Sequence, residues 1–226
     1  MTDAPSRPLA ARSYRAFLFD MDGTLINSIA AAERVWSRFA ERNGLDVQAF
    51  LPTMHGKRGI DTISELNLPG VDPAAEAARI TQEEIEDTQG VVPIPGAIDF
   101  LKGLPADRWA IVTSSPRALA FARLKAAGVT PPLTLVTAED VTQGKPAPDC
   151  YRLGAERLGV APADCLVFED VPAGVLAGER AGSDVVVITA THDHPFETSH
   201  PAIPGYVGLS VEVGADGLRI VGQPAD

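Results

Sequence analysis

Cysteine is nearly absent: Cys150 and Cys165 are the only two in 226 residues. They form no C-x-x-C pair and have no Cys/His ligand spacing, which argues against a disulfide framework or a structural zinc site and leaves both as small core residues. No apolar run approaches the roughly 18 residues of a membrane span. The first 13 residues carry Pro5, Arg7, Pro8 and Arg12 where a signal peptide would be apolar. The expectation is a cytoplasmic protein with no membrane partner, preceded by a flexible arm over residues 1–13. Positive charge is the scarcer sign, 19 Lys and Arg against 30 Asp and Glu, for a net −11. That excess argues against a nonspecific hold on nucleic acid and obliges any phosphate site to gather its cations locally.

What is present is a rhythm of short apolar runs that end in polar residues. Ala16 to Phe19 stops at Asp20, Ala110 to Val112 at Thr113, Leu133 to Val136 at Thr137, and Cys165 to Phe168 at Glu169 and Asp170; Val185 to Ile188 is a fifth run. Runs this short and continuous suit strands buried on both faces, as in a parallel sheet. Helical patterns fall between them: Ile98, Leu101 and Leu104 after Pro95-Gly96-Ala97; Leu119, Arg123, Leu124 and Ala127 up to Gly128; Tyr151, Ala155 and Leu158 up to Gly159. Alternating strands and helices predict an α/β fold with a doubly wound parallel sheet, in which ligands bind beyond the carboxyl ends of the strands.

Residues 28–92 break the alternation. Ser28 reads as an N-cap for a helix with Ile29, Ala32, Trp36 and Phe39 on one face, Asp72-Pro73 opens a second long helix to about Thr88, and no convincing strand lies between. The spacing predicts a helical unit inserted into a core formed by residues 14–27 and 93–226. Trp36 and Phe39 read as core of that unit rather than as a sugar platform. His192 and His194, in a Pro-rich polar stretch with His200, read as a solvated loop.

The sheet would bring Asp20, Asp22, Thr113, Ser114, Glu169 and Asp170 to one crevice, with Lys145 from the loop after the third run, Leu133 to Val136. Two carboxylates about 4 Å apart repel by about 4 kcal/mol at an effective dielectric of 20. A site with as many as four needs a cation, and an all-oxygen donor set favours a hard divalent ion, Mg²⁺. Mg²⁺ and Lys145 would also reverse the repulsion of an incoming phosphate dianion. The hydroxyl of Thr113 and the N–H groups of Ser114 and Ser115, with Pro116 at the first helical position, would hold its remaining oxygens. A carboxylate such as Asp20 can attack phosphorus, and a second, Asp22, can move a proton to the leaving oxygen and from the attacking water.

Asp20-Met21-Asp22-Gly23-Thr24-Leu25 resembles the signature of the haloacid dehalogenase superfamily, and Thr113, Lys145 and Glu169-Asp170 are similar to its other three motifs, in order. The resemblance implies a Rossmann-like core, an aspartyl-phosphate on Asp20, and Mg²⁺ held by Asp20, the main-chain carbonyl of Asp22 and Asp170, with Glu169 as a support or water-mediated ligand. It also implies that residues 28–92 form a small helical cap that selects the substrate. His55-Gly56-Lys57-Arg58, Gly144-Lys-Pro-Ala-Pro-Asp149 and Glu169-Asp-Val-Pro-Ala-Gly174 resemble the branch of sugar-phosphate, 2-deoxyglucose-6-phosphate and glycerol-phosphate phosphatases. The branch often has Asp where this chain has Asn27. The expected reaction is hydrolysis of a small sugar or polyol phosphate, with His55, Lys57, Arg58 and Ser114 reading the substrate. A sugar-phosphate mutase and a catalytically silent metabolite-binding protein stay open as alternatives; a dehalogenase would have no use for Asp22.

Overall fold

Each of the five apolar runs becomes a strand of one sheet. In the computed structural model, which describes residues 12–192 and 196–225, the chain begins β1 (Ala16–Phe19), β2 (Ile26–Asn27), α1 (Ile29–Arg42), α2 (Val47–Met54), α3 (Gly59–Glu65), α4 (Pro73–Glu86), β3 (Val92–Pro93). It continues α5 (Ala97–Lys102), β4 (Trp109–Val112), α6 (Arg117–Ala126), β5 (Thr134–Val136), α7 (Asp149–Arg157), β6 (Cys165–Glu169), α8 (Pro172–Ala181) and β7 (Asp184–Ile188). Three short strands close it: β8 (Ala202–Ile203), β9 (Leu209–Gly214) and β10 (Gly217–Gly222). The expected arm lies outside the described residues as far as residue 11. Beyond that, Arg12 pairs with Asp184 at 2.7 Å, where the hydroxyl of Tyr14 also donates at 2.9 Å.

The sheet runs β5-β4-β1-β6-β7-β8, every pair parallel. From β1 the chain winds outward through β4 to β5, then crosses back to build β6 and β7 on the other side. The winding direction therefore reverses between β1 and β6, and a doubly wound sheet binds its ligands at that reversal, beyond the carboxyl ends of the strands. Asp20 follows β1 and Asp170 follows β6, so both stand there.

Because side chains alternate along a strand, β1 feeds two cores. Phe17 and Phe19 enter one face with Phe100, Trp109, Ile111 and Phe168; Ala16 and Leu18 enter the other with Val112, Tyr151 and Val167. The chain has only 13 aromatics by its counts of Phe 8, Trp 2 and Tyr 3, yet Phe17, Phe19, Phe100, Phe168 and Tyr206 form one contiguous ring cluster, with Phe19 stacked on Phe168 at 4.3 Å. Phe17, Phe19 and Phe168 lie on the two strands that lead to the aspartates, with Phe100 of α5 and Tyr206 packed against them. At about 1.5–3 kcal/mol per buried aromatic or aliphatic side chain, burial is concentrated beneath the reversal point.

Residues 28–92 hold four helices with their own apolar centre, built from Val35, Trp36, Phe39, Phe50, Met54, Ile63 and Ile80. The chain enters and leaves this insert through β2 and β3, which pair antiparallel, Ile26 opposite Pro93 and Asn27 opposite Val92. Asp72 caps α4 as its sequence suggests, accepting from the N–H groups of Ala74 and Ala75. Ser28 takes the N-cap position of α1 as its sequence suggests, but its hydroxyl makes no capping bond and donates to Asp22 at 2.6 Å instead. The hairpin β9–β10 lies outside the pattern of short apolar runs, because Leu209, Val211 and Val213 alternate with polar residues.

Beyond β5, Asp140 fastens three elements. Its carboxylate accepts from the N–H and hydroxyl of Thr137, both at 2.8 Å, from Arg157 at 2.6 Å and from Arg117 at 3.1 Å. The hydrogen bond from Arg157 outweighs burial and holds this carboxyl well below the usual range. We expect Asp140→Ala to cost about 1–3 kcal/mol at neutral pH. A depressed carboxyl pKa stabilises the fold above the unfolded value and loses that contribution as pH falls through the folded one. The difference between wild type and variant in urea unfolding should therefore shrink as pH is lowered from 7; a difference that stays constant would contradict the assignment.

Candidate active site

Four loops converge at the carboxyl edge of the sheet. Asp20 is buried, and its Oδ1 accepts from Lys145 Nζ at 2.5 Å. The same ammonium reaches Glu169 Oε1 at 2.6 Å and the carbonyl of Val112 at 3.3 Å. Glu169 is wholly buried and fully engaged: Tyr151 donates to Oε1 at 2.6 Å, and the N–H groups of Asp170 and Val171 approach Oε2 at 3.0 and 3.4 Å. Its contacts hold Lys145 beside Asp20. Gly174 makes room for it, since a Cβ there would fall 1.7 Å from Glu169 Oε1.

Burial raises the pKa of Asp20 to about 8; Lys145 opposes the shift, and the neighbouring charge of Glu169 adds to it. Asp170 is raised well above the ordinary carboxylate value by burial and then by Asp20 and Glu169. Burial alone would lower Lys145, but Asp20 and Glu169 outweigh it and hold the ammonium above the usual lysine value. Both partners rise: Asp20 because burial outweighs the pull of the ammonium, Lys145 because two carboxylates contact it. Asp20, Glu169 and Asp170 each offer an oxygen within 4.8 Å of the others, a group that could hold a metal ion.

The turn after β1 is shaped for close approach. Gly23 adopts φ +91°, and a Cβ there would lie 1.9 Å from Asp170 Oδ2; only glycine combines that left-handed backbone with that contact. The Asp22–Ile26 bridge uses the carbonyl of Met21 and the N–H of Gly23, so the carbonyl of Asp22 stays outside it. The side chain of Asp22 is held at both oxygens, Oδ1 by Ser28 at 2.6 Å and Arg123 at 3.0 Å, Oδ2 by Ser115 at 3.0 Å.

Thr113 is buried on the cavity floor, and its hydroxyl accepts from the N–H of Ser115 at 3.0 Å. That N–H is therefore engaged, contrary to expectation. Pro116 takes the cap position of α6, not its first turn, and the N–H of Arg117 is met by Glu139 at 3.0 and 3.1 Å. Ser114 lines the cavity while its hydroxyl donates across to the carbonyl of Gly56 at 2.8 Å.

Between sheet edge and insert lies a cavity of about 430 Å³, the size of a small-metabolite pocket. Asp20, Asp22, Thr113, Ser114 and Asp170 line it from the core, and His55 and Lys57 from the insert. Lys57 also pairs with Glu65 at 2.7 Å, and His55 Nε2 stands 3.4 Å from Glu33. Arg58 is a correction, because it does not reach the cavity. Its guanidinium grips Asp61 at 2.6 and 2.8 Å and the carbonyl of Val141 at 3.0 Å, tying the insert to the core.

Three participants lie outside the motifs. Arg123 is buried and joins Asp22 to Glu84 of α4, which it meets at 2.8 Å; Glu84 also accepts from Trp36 Nε1 at 3.2 Å. Burial raises Glu84 and Arg123 opposes it; burial lowers Arg123, but Asp22 and Glu84 outweigh that and raise it. The signal for both is a charge on an apolar helix face, Arg123 beside Leu119 and Leu124, Glu84 one turn after Ile80. The third, His192, is not a solvated loop residue. Its Nε2 contacts the carbonyl of Asp170 at 2.6 Å, and Thr191, His192 and Phe196 form part of the cavity wall. A carbonyl only accepts, so Nε2 carries the proton, leaving Nδ1 buried without a partner among the described residues. His194 lies outside the described residues.

A parallel sheet with buried carboxylates at its reversal point and a helical insert after its first strand is the architecture of a Rossmann-like hydrolase. Residues 14–182 match the haloacid dehalogenase-like hydrolases, and the chain belongs to that family. It is 45% identical over 188 residues to hexitol phosphatase A of Escherichia coli (strain K12), across 80% of this chain and 86% of that one. Identity to glycerol-1-phosphate phosphohydrolase 2 of Saccharomyces cerevisiae (strain ATCC 204508 / S288c) is 32% over 203 residues, covering 84% of this chain and 80% of the other. In fold it matches CbbY from Rhodobacter sphaeroides, solved in complex with phosphate, with a TM-score of 0.73 over 85% of this chain and 95% of that one, at 21% identity. No helix among the described residues is long and apolar enough to cross a membrane.

Proposed function

We propose that the protein hydrolyses the phosphate monoester of a small sugar or polyol through an aspartyl-phosphate on Asp20. The observation that carries this is the placement of Asp20 at the reversal point, facing a metabolite-sized cavity with Lys145 on one oxygen and Asp22 across the turn. The named activities of the hexitol and glycerol-1-phosphate relatives support the same substrate class.

In this reading a carboxylate oxygen of Asp20 bonds to phosphorus as the bond to the leaving oxygen breaks. Asp22 gives its proton to that oxygen, then takes one from the water that attacks the acyl phosphate, restoring Asp20 and releasing inorganic phosphate. Lys145 and Thr113 hold phosphate oxygens. The helices of residues 28–92 act as the cap, with His55, Lys57 and Ser114 nearest the substrate; Arg58 locks the cap to the core instead of reading the substrate.

A divalent metal fits the donors present. Three buried carboxylates against one ammonium leave surplus negative charge, all of it on hard oxygen. Asp20, Asp170 and the carbonyl of Asp22 would hold Mg²⁺, with Glu169 supporting through Lys145 and the N–H of Asp170. Bound there, Mg²⁺ would offset the charge of the phosphoryl oxygens.

The test is inorganic phosphate released from hexitol, hexose and glycerol phosphates with Mg²⁺. We expect turnover that EDTA abolishes and added Mg²⁺ restores. Isomerised sugar phosphate without phosphate release would point to a mutase, and substrate binding without either product to a silent sensor.

A further inference from the structure

The insert's side of the cavity has no uncommitted cation among the described residues. Lys57 is matched by Glu65 at 2.7 Å, and Arg123, which reaches the insert from α6 of the core, is matched by Glu84 at 2.8 Å and Asp22 at 3.0 Å. What it does present is carboxylate. Glu84 is buried in the cavity wall; its Oε1 accepts from Trp36 and Arg123, while Oε2 accepts from no described residue.

A carboxylate accepts hydrogen bonds and cannot donate them, so an uncommitted oxygen in a pocket wall suits an O–H and repels a second anion. The indole of Trp36 fixes the carboxylate's orientation from behind. One guanidinium separates Glu84 from Asp22, the residue that meets the leaving oxygen in the reading above. Glu84 therefore faces the carbons nearest the scissile bond, not the far end of a long substrate.

We propose that Glu84 is a specificity determinant, accepting a hydroxyl of the leaving group and excluding leaving groups that carry a second negative charge close to the phosphate ester. This rests on the phosphatase reading and adds a rule about its substrates: neutral and hydroxylated next to the ester.

A matched pair tests it. Glycerol 2-phosphate and 2-phosphoglycerate share a carbon chain and differ in whether a carbon bonded to the ester-bearing carbon is a hydroxymethyl group or a carboxylate. With the full-length enzyme and Mg²⁺, kcat/KM should favour glycerol 2-phosphate by about 100-fold or more. Glu84→Gln removes the repelling charge and leaves Arg123 less neutralised. It should lower kcat/KM for glycerol 2-phosphate about 10-fold and raise it for 2-phosphoglycerate, narrowing the ratio at least about 10-fold.

A purely structural role, or one acting only through the setting of Asp22, would slow both esters alike and leave the ratio unchanged; that result overturns the proposal. A wild-type ratio near unity overturns it too, and needs no folded variant. Failure of the wild type to release phosphate from any neutral polyol or sugar ester would sink the phosphatase reading itself, whereas good turnover without discrimination would sink this inference alone.

Discussion

Asp20→Asn should reduce phosphate release at least about 10⁴-fold while leaving a folded protein. The amide has the shape of the carboxylate but no anionic oxygen to attack phosphorus, and no other carboxylate replaces it. Asp22 is tied at both oxygens to Ser28, Arg123 and Ser115, and Glu169 is enclosed by Lys145, Tyr151 and two N–H groups. The fold survives because Lys145 keeps Glu169 as a partner at 2.6 Å.

The same substitution has a pH signature in metal-free protein. The pKa of Asp20 is raised from an ordinary 3.8 to about 8 by burial, against the pull of Lys145. A raised carboxyl favours the folded state fully below the unfolded value, and the advantage fades as pH climbs toward the folded one. Asparagine imitates the neutral form at every pH. Thermal unfolding in EDTA should therefore show Asp20→Asn gaining on wild type between pH 4 and pH 8. Turnover retained in the variant, measured as released phosphate, would end the aspartyl-phosphate account.

Lys145→Met has the second large effect, on stability as well as activity. The ammonium is almost wholly enclosed and is the cation that Asp20 and Glu169 share. Removing one partner of a buried ion pair costs about 3–5 kcal/mol, because the other charge stays behind without compensation. For a chain of this length that is a fall in Tm of roughly 6–20 °C, with turnover down at least about 10³-fold. Lowering the pH should shrink the stability loss, since the orphaned carboxylates can then take up protons. A Tm within about 2 °C of wild type at pH 7 would mean that Lys145 does not hold the cluster together.

Much of this was legible in the sequence because strand and chemistry coincide there. A buried parallel strand is a short apolar run, and the first polar residue after it must stand at the carboxyl edge; Asp20, Thr113 and Glu169-Asp170 are each such a residue. Lys145 could be placed only as a loop cation near the strand ends until its resemblance to a motif fixed it, since a loop lysine has no periodicity. Other features were hidden because their cause is tertiary. Ser28 has the identity of an N-cap, yet its hydroxyl answers to Asp22. Arg58 sits in a basic tetrapeptide suited to phosphate, yet Asp61 three residues later and a distant carbonyl claim it. Arg123 and Glu84 each looked like an ordinary helix charge until the two helices were packed together. The hairpin β9–β10 alternates polar and apolar residues around Asp216-Gly217, a turn signal that a search for continuous runs passes over.

The ribbon made by Ile26–Asn27 and Val92–Pro93 places the chain's departure from the core beside its return. To the core, sixty-odd residues of helix are topologically a hairpin loop: lengthening or exchanging such a loop costs little closure entropy and disturbs neither β1 nor the strands that pair with it. On the function proposed above, chemistry and selectivity are encoded in separable stretches of chain. A lineage carrying this arrangement can redraw its substrate range by rewriting one cassette, while the aspartate that meets phosphorus is inherited unchanged.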